Sequence, residues 1–202
     1  MSKRPFTNSP SDASERSDAD LISDIVEGNE AAFAVLMSRH KGALYRFILR
    51  YIGSKSDAED LLQETFLSIY AKASTYDPAW KPSTWIYRIA LNKCRDHGRK
   101  QRLRKVFSLE AWAGRDRTEA TVEPPDHSPS VESIVAHRQE LSHFKAALET
   151  LPHNMRSALV LHTIEGRSQA ECAEILGVSR KSVEMLVYRA RKALQQRMGL
   201  EP

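Results

Sequence analysis

The chain has 202 residues, of which 41% are hydrophobic and 28% are charged, and its formal net charge at pH 7 is +4. That length accommodates one ordinary domain or two small ones, and no apolar run approaches the ~20 residues that a membrane-spanning helix requires. A mild positive charge is weak evidence for a nucleic-acid partner, because the distribution of charge matters more than its total.

The N-terminal stretch is polar and lacks the apolar core of a signal peptide. We expect residues 1–19 to be a disordered tail, and the chain to be cytoplasmic without membrane insertion. Cys94 and Cys172 are far apart in sequence, with no neighbouring histidines in a metal-binding spacing. Reduced thiols are therefore expected, with no metal and no cofactor.

Apolar residues at three- and four-residue steps predict helices over residues 21–27 and 29–51, with Asn29 as the cap of the second. Ser56 is the predicted N-cap of a third helix. The residues expected on the buried sides of the second and third helices are Phe33, Leu36, Met37, Leu44, Phe47, Ile48, Tyr51, Ala58, Leu61, Leu62, Thr65, Phe66, Ile69 and Tyr70.

The outer side of the third helix is acidic. Part of this cluster has an ordinary explanation, because acidic residues in a first helical turn offset the macrodipole. Glu64 lies beyond that turn, however, and Asp60 and Gln63 share its side of the helix. We therefore favour a partner-binding surface over a merely solvated one. This acidic face consists of Asp57, Glu59, Asp60, Gln63 and Glu64.

A proline-containing loop over residues 76–82 leads into a helical pattern rich in arginine and lysine. Cations suit the phosphates of a single strand, and aromatic rings stack on unpaired bases, so the combination indicates a single-stranded nucleic-acid surface. For Trp85 a place in the core is an equally good interpretation, whereas Trp80 and Tyr87 are freer to be surface groups. The candidate contacts are Trp80, Trp85, Tyr87, Arg88, Lys93, Arg95 and Arg99.

Helical periodicity stops over residues 106–133, where prolines and acidic residues predict a flexible linker. It resumes over 134–151, with Leu141 expected to face inward, and again after Pro152. The predicted fold class is therefore all-α, with two small helical domains over residues 20–105 and 134–202.

Residues 168–192 fit a helix-turn-helix. Ser168 and Glu171 form a capping box, Gly177 permits the positive φ of the turn, and Ser179 caps the second helix. Apolar contacts between the two helices are expected from Cys172, Leu176, Val178, Val183, Leu186 and Val187. The predicted DNA-facing side chains are Arg180, Lys181, Ser182, Glu184 and Tyr188, with Arg189, Arg191 and Lys192 reaching phosphates. An ordinary helical hairpin with a basic end is the alternative.

Three stretches together resemble the extracytoplasmic-function (ECF) sigma factors of bacterial RNA polymerase. They are DAEDLLQETFL, then WIYRIALN followed by a basic run, then LPHNMRSALVLHTIEGRSQAECAEILGVSRKSVEMLVYRARKAL. The resemblance covers residues 20–200. It implies a non-catalytic initiation factor that binds core polymerase, directs it to promoter DNA and helps to open the minus-ten element. It also implies an anti-sigma factor as a partner.

The resemblance assigns a role to each matching stretch. The acidic face falls where the family docks on the β′ coiled coil, and residues 148–165 fall where it grips the β flap. The helix-turn-helix falls where the family reads the minus-35 duplex. Residues 76–93 fall where it opens the minus-ten element, which adds Lys81 and Asn92 to the candidate DNA contacts. The chain departs from the family's pattern at residues 81–84, where an aromatic beside basic residues is common.

Two other functions remain open at this point. A helix-turn-helix transcriptional regulator that is not a polymerase subunit would need a dimerising surface or a ligand pocket, and the sequence shows neither. A metal-dependent nuclease or phosphohydrolase could use Asp57, Asp60, Glu64 and His97, but no pattern in the sequence positions a cation among them.

Overall fold

The computed structural model describes residues 16–111 and 131–199, with side chains described over 16–104 and 140–199. The helices in these residues are α1 (Asp18–Val26), α2 (Glu30–Ile52), α3 (Lys55–Ala71), α4 (Pro82–Ala111), α5 (Val131–Glu149), α6 (His153–Leu159), α7 (Gln169–Leu176) and α8 (Arg180–Met198). A 3-10 turn at Ala73–Thr75 follows α3, and a π-helical turn at Val160–Ile164 continues α6. No strand occurs within the described ranges, and the all-α prediction is confirmed.

Helices α1 to α4 form the first unit around one apolar core. Helix α2 is central, because it packs against α1, α3 and α4. The largest fully buried side chains of this unit are Leu21, Ile22, Leu36, Leu44, Phe47, Ile48, Ile69 and Ile86. Each contributes roughly 1.5–3 kcal/mol on removal from water, so the core is sufficient to fix the outer faces of α3 and α4.

The ends of α1 and α2 follow local hydrogen-bonding signals. Helix α1 begins within the predicted tail, because Ser17 and Asp20 form a capping box in which Ser17 Oγ accepts from the Asp20 backbone N at 3.2 Å. The predicted cap Asn29 is confirmed, since its Oδ1 accepts from the Ala31 backbone N at 3.1 Å. Both caps satisfy backbone donors that lack a partner within the helix.

The start of α3 differs from the prediction. Ser54 caps the helix, and its Oγ accepts from the Asp57 backbone N at 3.4 Å. The prediction of Ser56 was wrong because Ser56 is already helical, while Ser54 has the extended backbone that a cap requires. Tyr70, expected in the buried stripe, is exposed in the last turn of α3, with its ring edge-on to Phe33 at 5.1 Å between centroids.

Helices α4 and α5 extend beyond the predicted domain boundaries. Helix α4 continues to Ala111 and α5 begins at Val131, so both enter the range predicted as linker. Neither added segment, 106–111 in α4 or 131–133 in α5, contains a glycine or a proline, the two residues that most disfavour a helix.

Helices α5 to α8 form the second unit. Helix α8 packs against α5, α6 and α7, and the buried residues at this centre include Leu148, Leu151, Leu161 and Val183. The expectation that Leu141 faces inward was wrong, because its side chain is 57% exposed. The core of this unit begins one and a half turns later in α5, at Ala147 and Leu148.

The two units pack against each other. Helix α4 contacts α7, and α2 contacts the π-helical turn. Arg50 of α2 forms an ion pair with Glu165 at 2.5 Å, and the Thr84 hydroxyl donates to the Glu174 carboxylate at 3.2 Å. Part of the surface of α4 is consequently covered by the second unit.

Candidate functional site

The acidic face on α3 is largely exposed. Glu59, Asp60, Gln63 and Glu64 are exposed, while Asp57 is half-buried. Because the opposite side of α3 carries the buried Leu61 and Ile69, the helix cannot rotate without losing its core contacts. The charged groups are thus held in a fixed array that faces away from the first unit.

Two members of the acidic face also connect α3 to α4. The Asp57 carboxylate accepts from Gln101 Nε2 at 3.3 Å and lies 3.4 Å from His97 Nε2. Glu64 pairs with Lys93 at 3.2 Å. These contacts fix the acidic surface relative to the basic helix, so both surfaces belong to one rigid unit.

The acidic face continues into an exposed leucine that the sequence analysis missed. Leu67 lies one turn beyond Gln63 on α3 and is 68% exposed. An isolated exposed leucine is ordinary, but this one adjoins a charged surface already expected to bind a partner. A leucine on the polar side of an amphipathic helix was the available signal in the sequence.

The loop before α4 is held by its own hydrogen bonds. The Tyr76 hydroxyl donates to the Trp80 carbonyl O at 2.7 Å, and Asp77 Oδ1 accepts from the Ala79 backbone N at 2.9 Å. The exposed Trp80 ring carries the Arg88 guanidinium at 5.3 Å from its centroid. The Arg88 cation thus lies over one face of the Trp80 ring, and the two groups together are of the kinds that phosphate contact and base stacking require.

The predicted contacts on α4 divide into exposed and covered groups. Lys81, Arg88, Asn92 and Arg99 are exposed, and together with Trp80 they follow one side of the helix. Lys93 and Arg95 are half-buried, Lys93 through its pair with Glu64. This exposed stripe is the part of α4 that is accessible to a nucleic-acid strand in the arrangement described.

Trp85 and Tyr87 of α4 point toward the protein. Trp85 is half-buried, with its ring 5.4 Å from that of Tyr76. The expectation that Tyr87 is a surface group was wrong, since its side chain is 2% exposed. Its ring centroid lies 5.3 Å from that of Phe47, and the guanidinium of Arg167 of the second unit lies over the ring, 3.7 Å from its centroid.

The helix-turn-helix has the predicted local geometry. Ser168 Oγ accepts from the Glu171 backbone N at 3.2 Å, and the Glu171 carboxylate accepts from the Ser168 backbone N at 3.0 Å. Gly177 has a φ of 68° in the turn, where a side chain would be strained. Val178 was expected between the helices but is 37% exposed, because it lies at the outside of that turn.

Helix α8 presents one polar side to solvent. Val183 and Val187 are buried against the second unit, which directs the intervening polar positions outward. Arg191 donates to the Thr163 hydroxyl at 3.3 Å and so joins α8 to the π-helical turn. All of the predicted DNA-facing residues are exposed: Arg180, Lys181, Ser182, Glu184, Tyr188, Arg189, Arg191 and Lys192.

Both cysteines are buried and free. Burial raises the pKa of the Cys94 thiol well above its usual range and raises the pKa of Cys172 to about 11. Protonated thiols at neutral pH are poor metal ligands and poor nucleophiles. Among the described residues, no cluster of three or more His, Cys, Asp or Glu side chains could hold a metal ion, and no helix is long and apolar enough to cross a membrane.

Two family models match the chain. The model of sigma-70 region 2 matches residues 36–104, and the model of sigma-70 region 4 matches residues 143–194. The first match contains the acidic face and the stripe on α4. The second contains the helix-turn-helix and all the exposed residues of α8 named above.

Curated relatives match over nearly their whole length. The RNA polymerase sigma factor CnrH of Cupriavidus metallidurans is 33% identical over 181 residues, which cover 89% of this chain and 93% of that protein. The ECF RNA polymerase sigma factor SigM of Mycobacterium tuberculosis is 32% identical, over 92% of this chain and 86% of its own. SigW of Bacillus subtilis, another ECF sigma factor, is 29% identical over 88% of this chain.

Solved structures agree with these matches. The structure of CnrH in complex with the cytosolic domain of CnrY has a TM-score of 0.63 and 28% identity, covering 92% of this chain and 99% of that one. The sigma factor RpoE in complex with the anti-sigma factor NepR, from Bartonella quintana, has a TM-score of 0.59 and 25% identity, covering 82% of this chain and 96% of that one.

Proposed function

This chain belongs to the extracytoplasmic-function sigma factors of bacterial RNA polymerase, and on that premise we propose how its surfaces divide the work of promoter recognition. It directs the polymerase to promoters. The alternative of a regulator acting outside the polymerase is not favoured, because sigma regions 2 and 4 occur together in this chain. A sigma factor is a non-catalytic subunit, so this role requires no catalytic residue and no cofactor.

Residues 20–105 bind core polymerase through the acidic face. The region 2 match over residues 36–104 supports this boundary. The exposed Glu59, Asp60 and Glu64 supply negative charge for the β′ coiled coil, and the neutral Gln63 beside them offers hydrogen bonds. Leu67 adds an apolar contact that loses water on binding. Surface charge speeds the association of the two proteins and sets their orientation. Burial of Leu67 in the complex slows dissociation.

The exposed stripe on α4 captures the minus-ten element as a single strand. Trp80 offers a stacking surface, Lys81 and Arg88 contact phosphates, and Asn92 contacts a base edge. Separating one base step costs a few kcal/mol, which stacking and phosphate contacts offset. Tyr87 joins this surface only where the second unit has moved away, because Arg167 covers its ring in the packed arrangement.

Residues 134–202 read the minus-35 element through α8, and residues 148–165 grip the β flap. The region 4 match over residues 143–194 and the exposed polar side of α8 support this assignment. Residues 106–133 connect the two domains and limit their separation. Each domain alone gives modest specificity. When the minus-ten and minus-35 elements are correctly spaced, binding of one domain raises the effective concentration of the other at its element, and the pair gives high specificity.

We also propose a protein inhibitor and a location. Two structural relatives, CnrH and RpoE, were solved with the cytosolic domain of CnrY and with the anti-sigma factor NepR, respectively. Because both relatives were solved with a bound protein partner, we infer that this chain also binds an anti-sigma factor. Because its polymerase acts on chromosomal DNA, the chain works in the cytoplasm.

One observation supports this function most strongly. The acidic face of α3 is fixed to the basic and aromatic helix α4, and the same chain presents an exposed recognition helix, α8. Its test is run-off transcription with purified core polymerase on promoters identified by sequencing the transcripts that overexpression induces. We expect transcripts only when the chain and core polymerase are both present. Full-affinity, sequence-specific promoter binding by the chain alone, unchanged by polymerase, would contradict the proposal.

A further inference from the structure

A cavity of about 160 Å³ lies between the two units, where α2, α4 and α6 meet. Its lining carries four arginines, Arg95, Arg99, Arg102 and Arg156, beside His97 and His153. Among the described lining residues, the only carboxylate is that of Glu149. Both units contribute arginines, so the positive charge is concentrated by their packing rather than by either unit alone.

Two of these arginines have unsatisfied donors in the interior. The Nε atoms of Arg95 and Arg156 are buried and have no hydrogen-bond partner in the described structure. Arg156 donates through Nη2 to the Glu149 carbonyl O, and Arg99 pairs with Asp96. A buried donor without a partner costs stability, and buried polar groups in folded proteins are normally paired.

The same cations act on a neighbouring histidine. Burial first, and then the positive charges of Arg95, Arg156, Arg102 and Arg99, lower the pKa of His153 to about 4. His153 is therefore neutral at pH 7, and its Nδ1 is hydrogen-bonded to the Tyr51 hydroxyl. At pH 7 the positive charge of the cavity wall therefore comes from its arginines and not from His153.

We propose that this cavity binds a small phosphate-bearing anion, which bridges Arg95 and Arg102 of α4 and Arg156 of α6. Guanidinium groups bind phosphate oxygens through paired N–H donors, and Arg95, Arg102 and Arg156 all line the cavity. The ligand is a free anion rather than a DNA strand, because a site of about 160 Å³ whose walls come from both units is too small for a run of nucleotides.

Anion binding has a consequence for the arrangement of the two units. A ligand that touches arginines of both units binds the packed form and not the separated form, so it shifts the population toward the packed form. In that form Arg167 covers Tyr87. This inference does not depend on the proposed promoter contacts, since it concerns binding to the isolated chain.

The test is thermal unfolding and titration calorimetry of the full chain with pyrophosphate, at ionic strength matched by sodium chloride. We expect a saturable rise in the unfolding midpoint for the wild-type chain. Arg102→Gln should weaken pyrophosphate binding at least tenfold, and Arg95→Gln should do the same. Arg102 is exposed at the cavity edge, so its replacement does not threaten folding.

Arg104→Gln is the matched control, because Arg104 is exposed on α4 but does not line the cavity. It should bind pyrophosphate as the wild type does. Equal weakening in Arg102→Gln and Arg104→Gln, or a midpoint shift that never saturates, would mean an unspecific ion effect and overturn the site. A single-stranded oligonucleotide that displaces pyrophosphate, with an affinity lost in Arg102→Gln, would assign the arginines to DNA instead.

Discussion

The guanidinium of Arg167 lies 3.7 Å from the centroid of the Tyr87 ring, so a residue of the second unit covers an aromatic side chain of α4. Arg167 lies just before Ser168, the N-cap of α7. Glu174 of the same helix accepts a hydrogen bond from Thr84, which is one turn before Tyr87 on α4. A cation over an aromatic face contributes about 0.5–2 kcal/mol, depending on its desolvation. The contact is therefore strong enough to bias the two units toward packing, and weak enough for polymerase or DNA to displace.

Arg167→Ala should expose Tyr87. Loss of the cation–π contact should cost about 0.5–2 kcal/mol of packing between the units, and nitration of Tyr87 by tetranitromethane, measured by mass spectrometry, should become faster. Arg197→Ala, at an exposed position in the last turn of α8, is the control and should leave nitration unchanged. Equal protection of Tyr87 in both variants would show that Phe47 and the rest of the first unit bury it without Arg167.

The stability of the chain should fall between neutral and mildly acidic pH through His153. Its folded-state pKa is about 4, below its ordinary value of 6.5, so the unfolded chain takes up the proton first as the pH falls. Neutral His153 therefore leaves the free energy of unfolding undiminished above pH 6.5. Below that pH the free energy of unfolding falls progressively until about pH 4. His153→Gln should flatten the dependence of the unfolding midpoint on pH in this window. The same slope in the variant would assign the acid sensitivity to other groups.

Reversal of charge on the acidic face should abolish binding to core polymerase. Asp60→Arg with Glu64→Arg places two cations where two exposed carboxylates stand, and the variant should no longer co-purify with core polymerase. Glu27→Arg with Glu140→Arg makes the same change in net charge at exposed positions elsewhere, and should co-purify normally. Retention of the first variant by core polymerase would remove the docking assignment from α3.

Leu67→Ala should weaken the same interaction without changing charge. If the exposed side chain becomes buried against the polymerase, its truncation should cost about 1–3 kcal/mol in binding, largely through faster dissociation. The folded chain should keep its stability, because Leu67 is 68% exposed in the free form. Leu103→Ala, at another exposed leucine, is the comparison. Identical dissociation rates for the wild type and Leu67→Ala would exclude an apolar contribution there.

Arg180→Ala and Lys181→Ala should weaken binding of the minus-35 duplex. Each should lose about 1–3 kcal/mol on the cognate sequence if the side chain contacts a base edge. Fluorescence anisotropy with cognate and scrambled duplexes at several salt concentrations distinguishes the two kinds of contact. Equal losses on both duplexes, with a smaller salt slope, would identify phosphate contacts instead.

Local signals in the sequence predicted the helix-turn-helix accurately. The capping box of Ser168 and Glu171 and the positive φ of Gly177 involve atoms within a few residues of each other, so the sequence alone specifies them. The cap at Asn29 is of the same kind. Ser54 and Ser56 offer the same local capping signal in the sequence, and only the folded α3 shows that Ser54 is the cap.

The outward side of α3 was also determined by sequence, since the buried Leu61 and Ile69 fix it at helical spacing. The burial of Tyr87 and the cationic cavity were decided only by tertiary structure. Arg167 and Arg156 reach α4 from the second unit, and no pattern along either segment records that approach. Helical periodicity in the sequence shows which side of a helix is apolar. Contacts between the two units depend instead on how complete helices pack, because packing brings together residues that are distant in the chain.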